Sequence, residues 1–304
     1  MIKFRFVVFA TSFLAVSCAT LRAQYIGYPL LGLGGLKAGS QPGPGYYISL
    51  VYFRWNDITL HDAQSTQIGS NLNFTINLGA VPSFHATTQL KILGASYGFG
   101  VTELVLNGLV NVVRPDRSFQ RTSSYGYGDL YVQPVILGWH TPHADITLGY
   151  SFWAPSGGDH GLHQWENEID AGTTLYLDSG KKWNVSTMFS YDFSQTKNNT
   201  DVKVGNLLTL QGGAARSFLK GAGSVGAAYG AQWKMTADSG TGIPAFLPIT
   251  KGRVFGVGPE INMPVFAKGK NVGLVGFRYL WLPGPKTQLG GEILVASFTF
   301  ARLI

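Results

Sequence analysis

From Trp183 the chain alternates without a break to Ser194. Trp183, Val185, Thr187, Phe189, Tyr191 and Phe193 occupy the odd positions, and Asn184, Ser186, Met188, Ser190, Asp192 and Ser194 lie between them. A β-strand sends two such sets to opposite faces, one greasy and one polar. Strands of soluble domains usually end after about 5–6 residues. A run twice that long is what a tilted strand needs to cross a bilayer. The split recurs from Ser224, where Val225, Ala227, Tyr229, Ala231, Trp233 and Met235 oppose Ser224, Gly226, Ala228, Gly230, Gln232 and Lys234. Leu72, Phe74, Ile76 and Leu78 likewise alternate with Asn71, Asn73, Thr75 and Asn77. Aromatic residues gather toward row ends (Trp183, Tyr191, Phe193, Trp233), where an interfacial girdle belongs.

Composition excludes the competing fold classes. Charged residues make up 13% of the chain and aromatics another 13%, which is the wrong balance for disorder. Forty glycines in 304 residues penalise helices, and the Lys, Glu and Arg that fill helical bundles are scarce. The reading is all-β: a transmembrane antiparallel β-barrel of about 12 strands, within a range of about 10–14, after a cleaved signal peptide.

Lys3 and Arg5 precede a mostly apolar run from Phe6 to Val16, then small residues and Ala23-Gln24. That is a charged start, an apolar stretch too short to span a bilayer and a cleavage site after Ala19 or Ala23. A lipoprotein signal centred on Cys18 fits less well, because Leu14 sits one position too early for a lipidation box. The whole chain carries +7. Residues 1–23 hold Lys3, Arg5 and Arg22 and no acid, so the remainder has 20 basic and 16 acidic residues, a net +4. Much of the basicity thus belongs to export, and nucleic acid is not an expected partner. Removal of Cys18, the single cysteine, also excludes disulfides and cysteine-held metals from the mature chain.

Connections support the same architecture. Short turns are expected at His140–His143, Ser179–Lys182, Phe218–Ala222 and Phe266–Asn271. Long polar loops are expected at Arg114–Gly128, Pro155–Glu166, Gln195–Val202, Thr236–Lys251 and Pro283–Gly290. Alternation of short periplasmic turns with long external loops is the habit of outer-membrane barrels. The first strand is placed at about Tyr46 to Trp55, the last at about Gly290 to Leu303, and Leu93–Val113 is taken as one long bent strand. Residues 24–45, dense in Gly and Pro around Pro42-Gly43-Pro44-Gly45, read as a periplasmic lead-in or small plug, and residues 46–304 as the barrel.

An ordered set of short blocks resembles the outer-membrane family named for the meta-pathway of phenol degradation. The blocks are Gln41-Pro42-Gly43-Pro44-Gly45-Tyr46-Tyr47, then Gly94-Ala95-Ser96-Tyr97-Gly98, then Gly126-Tyr127-Gly128-Asp129-Leu130-Tyr131-Val132-Gln133-Pro134, running on to Leu137-Gly138-Trp139-His140. Phe152-Trp153-Ala154-Pro155-Ser156-Gly157, Tyr191-Asp192-Phe193 and Gly252-Arg253-Val254-Phe255-Gly256-Val257-Gly258-Pro259-Glu260 complete it. The resemblance implies a barrel of the Gram-negative outer membrane that passes small hydrophobic or aromatic compounds. Such barrels usually end on an aromatic residue that the barrel assembly machinery reads. This chain ends Phe298-Thr299-Phe300-Ala301-Arg302-Leu303-Ile304, with Arg302 interrupting the greasy face.

Chemistry-bearing residues are few. Gly221-Ala222-Gly223-Ser224-Val225-Gly226 has dinucleotide-loop spacing, but a strand follows where a helix is required. His160 and His163, with Asp159, Glu166 and Glu168, fall in a loop that would not preorganise metal ligands. An outer-membrane lipase would need a Ser beside a His on the outer face; Ser151 is on a polar row and His85 lacks an evident orienter. No enzyme, cofactor or metal is therefore expected. Arg278 sits between greasy neighbours, and a charge facing mid-bilayer lipid costs about 2–4 kcal/mol. Its row (Val272, Leu274, Gly276, Arg278, Leu280) is therefore assigned to the lumen, with Glu260 and Asp129 inward too, and an Arg278–Glu260 pair that narrows or selects is expected. Arg114, Arg117 and Arg121 are expected in one external loop, drawing anions to the mouth or binding lipopolysaccharide phosphates. The expected role is a passive channel. The alternative is a non-transporting surface protein whose long loops bind ligands or lipopolysaccharide over a plugged barrel.

Overall fold

The computed structural model of the chain describes residues 31–68, 72–113, 119–158, 160–243 and 250–303. The strands are, in order, β1 (Gly45–Ile58), β2 (Leu60–His61), β3 (Gln67–Ile68), β4 (Leu72–Ile92), β5 (Ala95–Val113), β6 (Phe119–His140) and β7 (Ala144–Ala154). They continue as β8 (Glu166–Tyr176), β9 (Trp183–Ser194), β10 (Leu207–Phe218), β11 (Gly223–Lys234), β12 (Arg253–Ala267), β13 (Lys270–Leu282) and β14 (Gly291–Leu303). Twelve of them form one closed antiparallel barrel, in which each pairs with its sequence neighbour and β1 pairs with both β14 and β4. The two-residue strands β2 and β3 make a small hairpin in the connection between β1 and β4. Closure leaves no free edge, so each strand of the barrel wall pairs on both sides apart from local bulges, as hydrocarbon demands.

Period two sorts the side chains as the sequence implies. Along β9 the exposed positions are Trp183, Val185, Phe189, Tyr191 and Phe193, while Asn184, Ser186, Ser190, Asp192 and Ser194 are buried. On β13 Val275, Phe277 and Trp281 are exposed, whereas Arg278, Leu280 and Leu282 are buried. A greasy outside and a buried polar row inside invert the pattern of a soluble β-protein.

β4 and β6 are longer than expected, while β5 is long as expected. In chain order the three run 21, 19 and 22 residues, against 11 to 15 for the rest of the barrel wall. The segment read as a loop from Arg114 to Gly128 is largely strand: β6 begins at Phe119, and its first residues pair with β5 from Val113↔Phe119 to Leu106↔Gly126. Polarity on both faces misled the loop assignment. In β6 every residue from Gln120 to Ser124 is polar, which suits a strand that continues beyond the hydrocarbon into water. The bent strand begins two residues later than expected, at Ala95, because Leu93 and Gly94 adopt positive φ (50° and 80°) and form the hairpin turn from β4. Bulges interrupt the β4–β5, β5–β6 and β6–β7 pairings, including Val132/Val135 beside Pro134, where a residue without an N–H is tolerated.

Connections at the end where the chain enters β1 hold two to six residues, and those at the opposite end are longer except between β5 and β6, so the rule for such barrels assigns the first end to the periplasm. Gly221 of the dinucleotide-like spacing lies in the β10–β11 turn with φ +89°, and strand β11 follows it.

Candidate functional site in the barrel interior

The interior has two unlike walls. On one side Phe53, Trp55 and Ile58 of β1, Ala228 of β11, Val254 of β12, Leu280 and Leu282 of β13 and Ile293 and Val295 of β14 form a buried apolar cluster that also includes Leu31. On the other, β7, β8 and β9 present Asp145, Ser151, Glu166, Glu168, Asp170, Ser190 and Asp192, all buried. In the ring order, β8 and β9 lie across the barrel from β13, β14 and β1.

Residues 31–41 run between these walls and touch inward-facing groups on many strands. Gln211 Oε1 on β10 accepts from the backbone N–H groups of Gly32 (2.7 Å) and Gly34 (3.0 Å). Leu36 N donates to Glu260 Oε2 at 3.2 Å, and Gly39 N donates to Ser186 Oγ at 2.9 Å. Ser40 Oγ donates to Asp145 Oδ2 at 2.8 Å, and that carboxylate also accepts from Tyr176 Oη at 2.6 Å and faces His140 Nδ1 at 3.0 Å. The segment is folded by its own turns, Ala38 N to Gly35 O and Ser40 N to Lys37 O. Two glycines are required by proximity. A Cβ at Gly35 would strike the Arg278 guanidinium and the Glu260 carboxylate, and one at Gly39 would strike the Thr173 backbone.

Arg278 and Glu260 are directly opposed on β13 and β12, and Arg278 Nε donates to Glu260 Oε2 at 2.6 Å. Their side chains are 11% and 4% exposed. Arg278 also donates through Nη1 to the Gly32 carbonyl, and Asn262 Nδ2 donates to Glu260 Oε1 at 2.8 Å. Arg278 and Glu260 thus pair, and the pair grips residues 32–36 rather than standing free in the lumen.

Asp129 on β6 also points inward and is fully buried, but it serves a loop. Its carboxylate accepts from Gly157 N at 2.7 Å and Leu162 N at 2.9 Å, holding the β7–β8 connection over the barrel mouth. Leu162 then packs with Trp153, against Leu104 and Tyr131. Nearby, burial pulls the Lys197 ammonium down to about 8, although Asp129, Glu166 and Asp238 favour its charge. Lys234 and Asp238 form a buried ion pair at 2.7 Å where β11 meets its long connection.

The external basic cluster needs correction. Arg121 lies in β6, opposite Asn111, not in a loop, while Arg114 and Arg117 lie outside the described residues. Of the groups weighed as metal ligands, Glu166 and Glu168 point into the barrel from β8, and Asp159 lies outside the described residues. Ser151 is buried inward beside the Tyr131 hydroxyl, at 2.9 Å, and His85 Nε2 lies 3.1 Å from Thr87 Oγ1.

Sequence reasoning missed Gln211, Ser186 and Asp145 as anchors. Their signal was present, since Ser186 was already on the polar row of β9, but nothing in a row says what fills the space before it.

A closed twelve-stranded antiparallel wall, greasy outside and polar within, defines an outer-membrane β-barrel of the Gram-negative type. The chain belongs to the family described as "Putative MetA-pathway of phenol degradation", whose model matches residues 59–295. An outer-membrane channel from Pseudomonas putida F1 has the same fold, with a TM-score of 0.67 at 14% identity over 87% of this chain and 97% of that one. A FadL homologue from Pseudomonas aeruginosa aligns over 85% of this chain and 89% of its own, at 8% identity and a TM-score of 0.40. No curated protein matches the sequence.

Proposed function

We propose that the protein is a passive outer-membrane channel for small hydrophobic compounds, aromatic ones foremost, and that residues 31–41 narrow its path. The observation that carries this reading is the apolar cluster on the inner wall, from Phe53 and Trp55 to Leu280, Ile293 and Val295. Porins for hydrophilic solutes carry a polar, water-filled interior, whereas one inner wall here is apolar, with Leu31 packed against it. Family membership and the channel of like fold from P. putida support it. The need is physical: a lipopolysaccharide leaflet slows hydrophobic solutes, and a pore with apolar patches speeds them downhill. On this reading residues 1–23 are an export signal and residues 24–45 enter from the periplasm. Lipopolysaccharide and the barrel assembly machinery then become partners by location.

A second reading draws on residues 31–41 themselves. If their contacts with Gln211, Glu260, Arg278 and Asp145 close the path, the barrel is a plugged surface protein that binds through its loops. Liposomes carrying the purified protein separate the two when entry of phenol, benzoate and a sugar of similar size is followed. Faster entry of phenol over the sugar is expected. Equal acceleration of all three would make it a general pore, and no acceleration by folded protein would favour the plugged binder.

A further inference from the structure

The rim of the wall at the end assigned to the periplasm is one-sided in charge. Around the arc from β9 to β14, Lys182, Arg216, Lys220, Lys268, Lys270 and Arg302 are all exposed there. Among the described residues Asp178 is the acid side chain of that arc, and backbone donors take its carboxylate, Trp183 N at 2.7 Å and Lys182 N at 3.2 Å. The ion pairs of the described residues lie elsewhere, at His140–Asp145, Lys234–Asp238 and Arg278–Glu260.

Two of the six cations belong to the lipid-facing rows themselves. Arg216 follows Leu208, Leu210 and Ala214 along β10 and stands opposite Trp183 and Val225, both exposed. Its guanidinium lies 5.6 Å from the centroid of the Trp183 ring. Arg302 continues the outward row of Phe298 and Phe300 on β14 and stands opposite Tyr46, which is exposed too. This is the arginine that interrupts the greasy face at the end of the chain. Trp183 and Tyr46 mark the depth, since such rings settle among the headgroups. A charge that is costly at the midplane is tolerated at that level, and a long side chain carries it into the polar layer.

Charge complementarity selects the occupant. At headgroup depth the anion is a lipid phosphate, and a guanidinium fork fits two of its oxygens. The phosphate of phosphatidylcholine brings its own ammonium, whereas that of phosphatidylglycerol leaves a net negative headgroup, which a basic rim attracts. We infer that Arg216 and Arg302, with Lys182, Lys220, Lys268 and Lys270, form a belt that holds phosphatidylglycerol of the periplasmic leaflet by its phosphate. The belt gives Arg302 a role where a barrel usually carries another greasy residue. The inference needs the barrel and its orientation and does not depend on the channel reading.

The test is native mass spectrometry of the full-length barrel in a neutral detergent, titrated with dioleoyl phosphatidylglycerol and, separately, dioleoyl phosphatidylcholine. The glycerol lipid should bind at least about tenfold more tightly. Arg216→Gln and Arg302→Gln should each weaken its binding about fivefold, the effect of one cation beside an anionic surface. Arg253→Gln is the control, because its guanidinium also lies over a ring, 5.7 Å from the Phe255 centroid, but at the opposite end of the wall. That change should leave the preference intact. Gel mobility of unboiled samples reads the fold, and Lys220→Gln in the β10–β11 turn tests the same belt without touching a strand. Equal affinities for the two lipids overturn the proposal. A loss at Arg253→Gln as large as at Arg216→Gln overturns it too, since any cation on the barrel would then serve. So does binding of polyglutamate as tight as that of phosphatidylglycerol, which would assign the rim to a soluble acidic partner.

Discussion

Arg278→Ala will destabilise the barrel by about 3–5 kcal/mol, the range for removing one partner of a buried ion pair, and will raise its conductance several-fold. Glu260 is nearly fully buried and would keep only the donors Leu36 N and Asn262 Nδ2 against its charge. The Gly32 carbonyl would lose its donor at the same moment, so residues 31–36 would be held on that wall chiefly by Gln211. Arg278→Lys keeps the charge but cannot serve Glu260 and Gly32 with one planar fork, so an intermediate result is expected. Glu260→Gln leaves the arginine unpaired and should raise conductance as well. Unfolding midpoints in urea and currents across planar bilayers check both halves. A stable variant with unaltered current would mean that neither the pair nor the segment it grips lies in the path.

Phe189→Arg is expected to cost about 2–4 kcal/mol, because it puts a guanidinium against lipid near the bilayer midplane. Phe189 is halfway along β9, faces outward and is 48% exposed. The same substitution at Phe193, one residue from the outer end of the strand, should cost only about 0–1 kcal/mol. Depth is the variable that matters, since both residues occupy the same face. Folding titrations into lipid vesicles measure the two costs. Equal costs at the two positions would contradict the assignment of this row to the membrane.

Period two carried most of the fold. The rows at Trp183 and Ser224 placed the greasy and polar faces correctly, because a strand's alternation is local and the bilayer accepts only one arrangement of it. The inward turn of Arg278 followed from the same reasoning, since lipid rejects a charge. Its partnership with Glu260 needed the β12–β13 register, which residue types suggest and only pairing settles. The stretch from Arg114 to Gly128 failed for a related reason. Ser123, Ser124 and Tyr125 look like loop when read for polarity, yet they pair with β5 residue by residue. Asp129 is buried, and its service to Gly157 and Leu162 depends on how an aperiodic loop folds back. Gly32–Gly39 has no period at all, so its position among Gln211, Ser186 and Asp145 was invisible until the walls stood around it.

The most direct measurement is single-channel conductance in planar bilayers, comparing the full-length barrel with one lacking residues 31–41. A narrow channel that widens at least several-fold on deletion, with the deleted barrel still folded by its gel mobility, is the predicted result. Identical conductance in the two would contradict it, because a segment bonded to β7, β9, β10, β12 and β13 cannot narrow a path that its removal leaves unchanged.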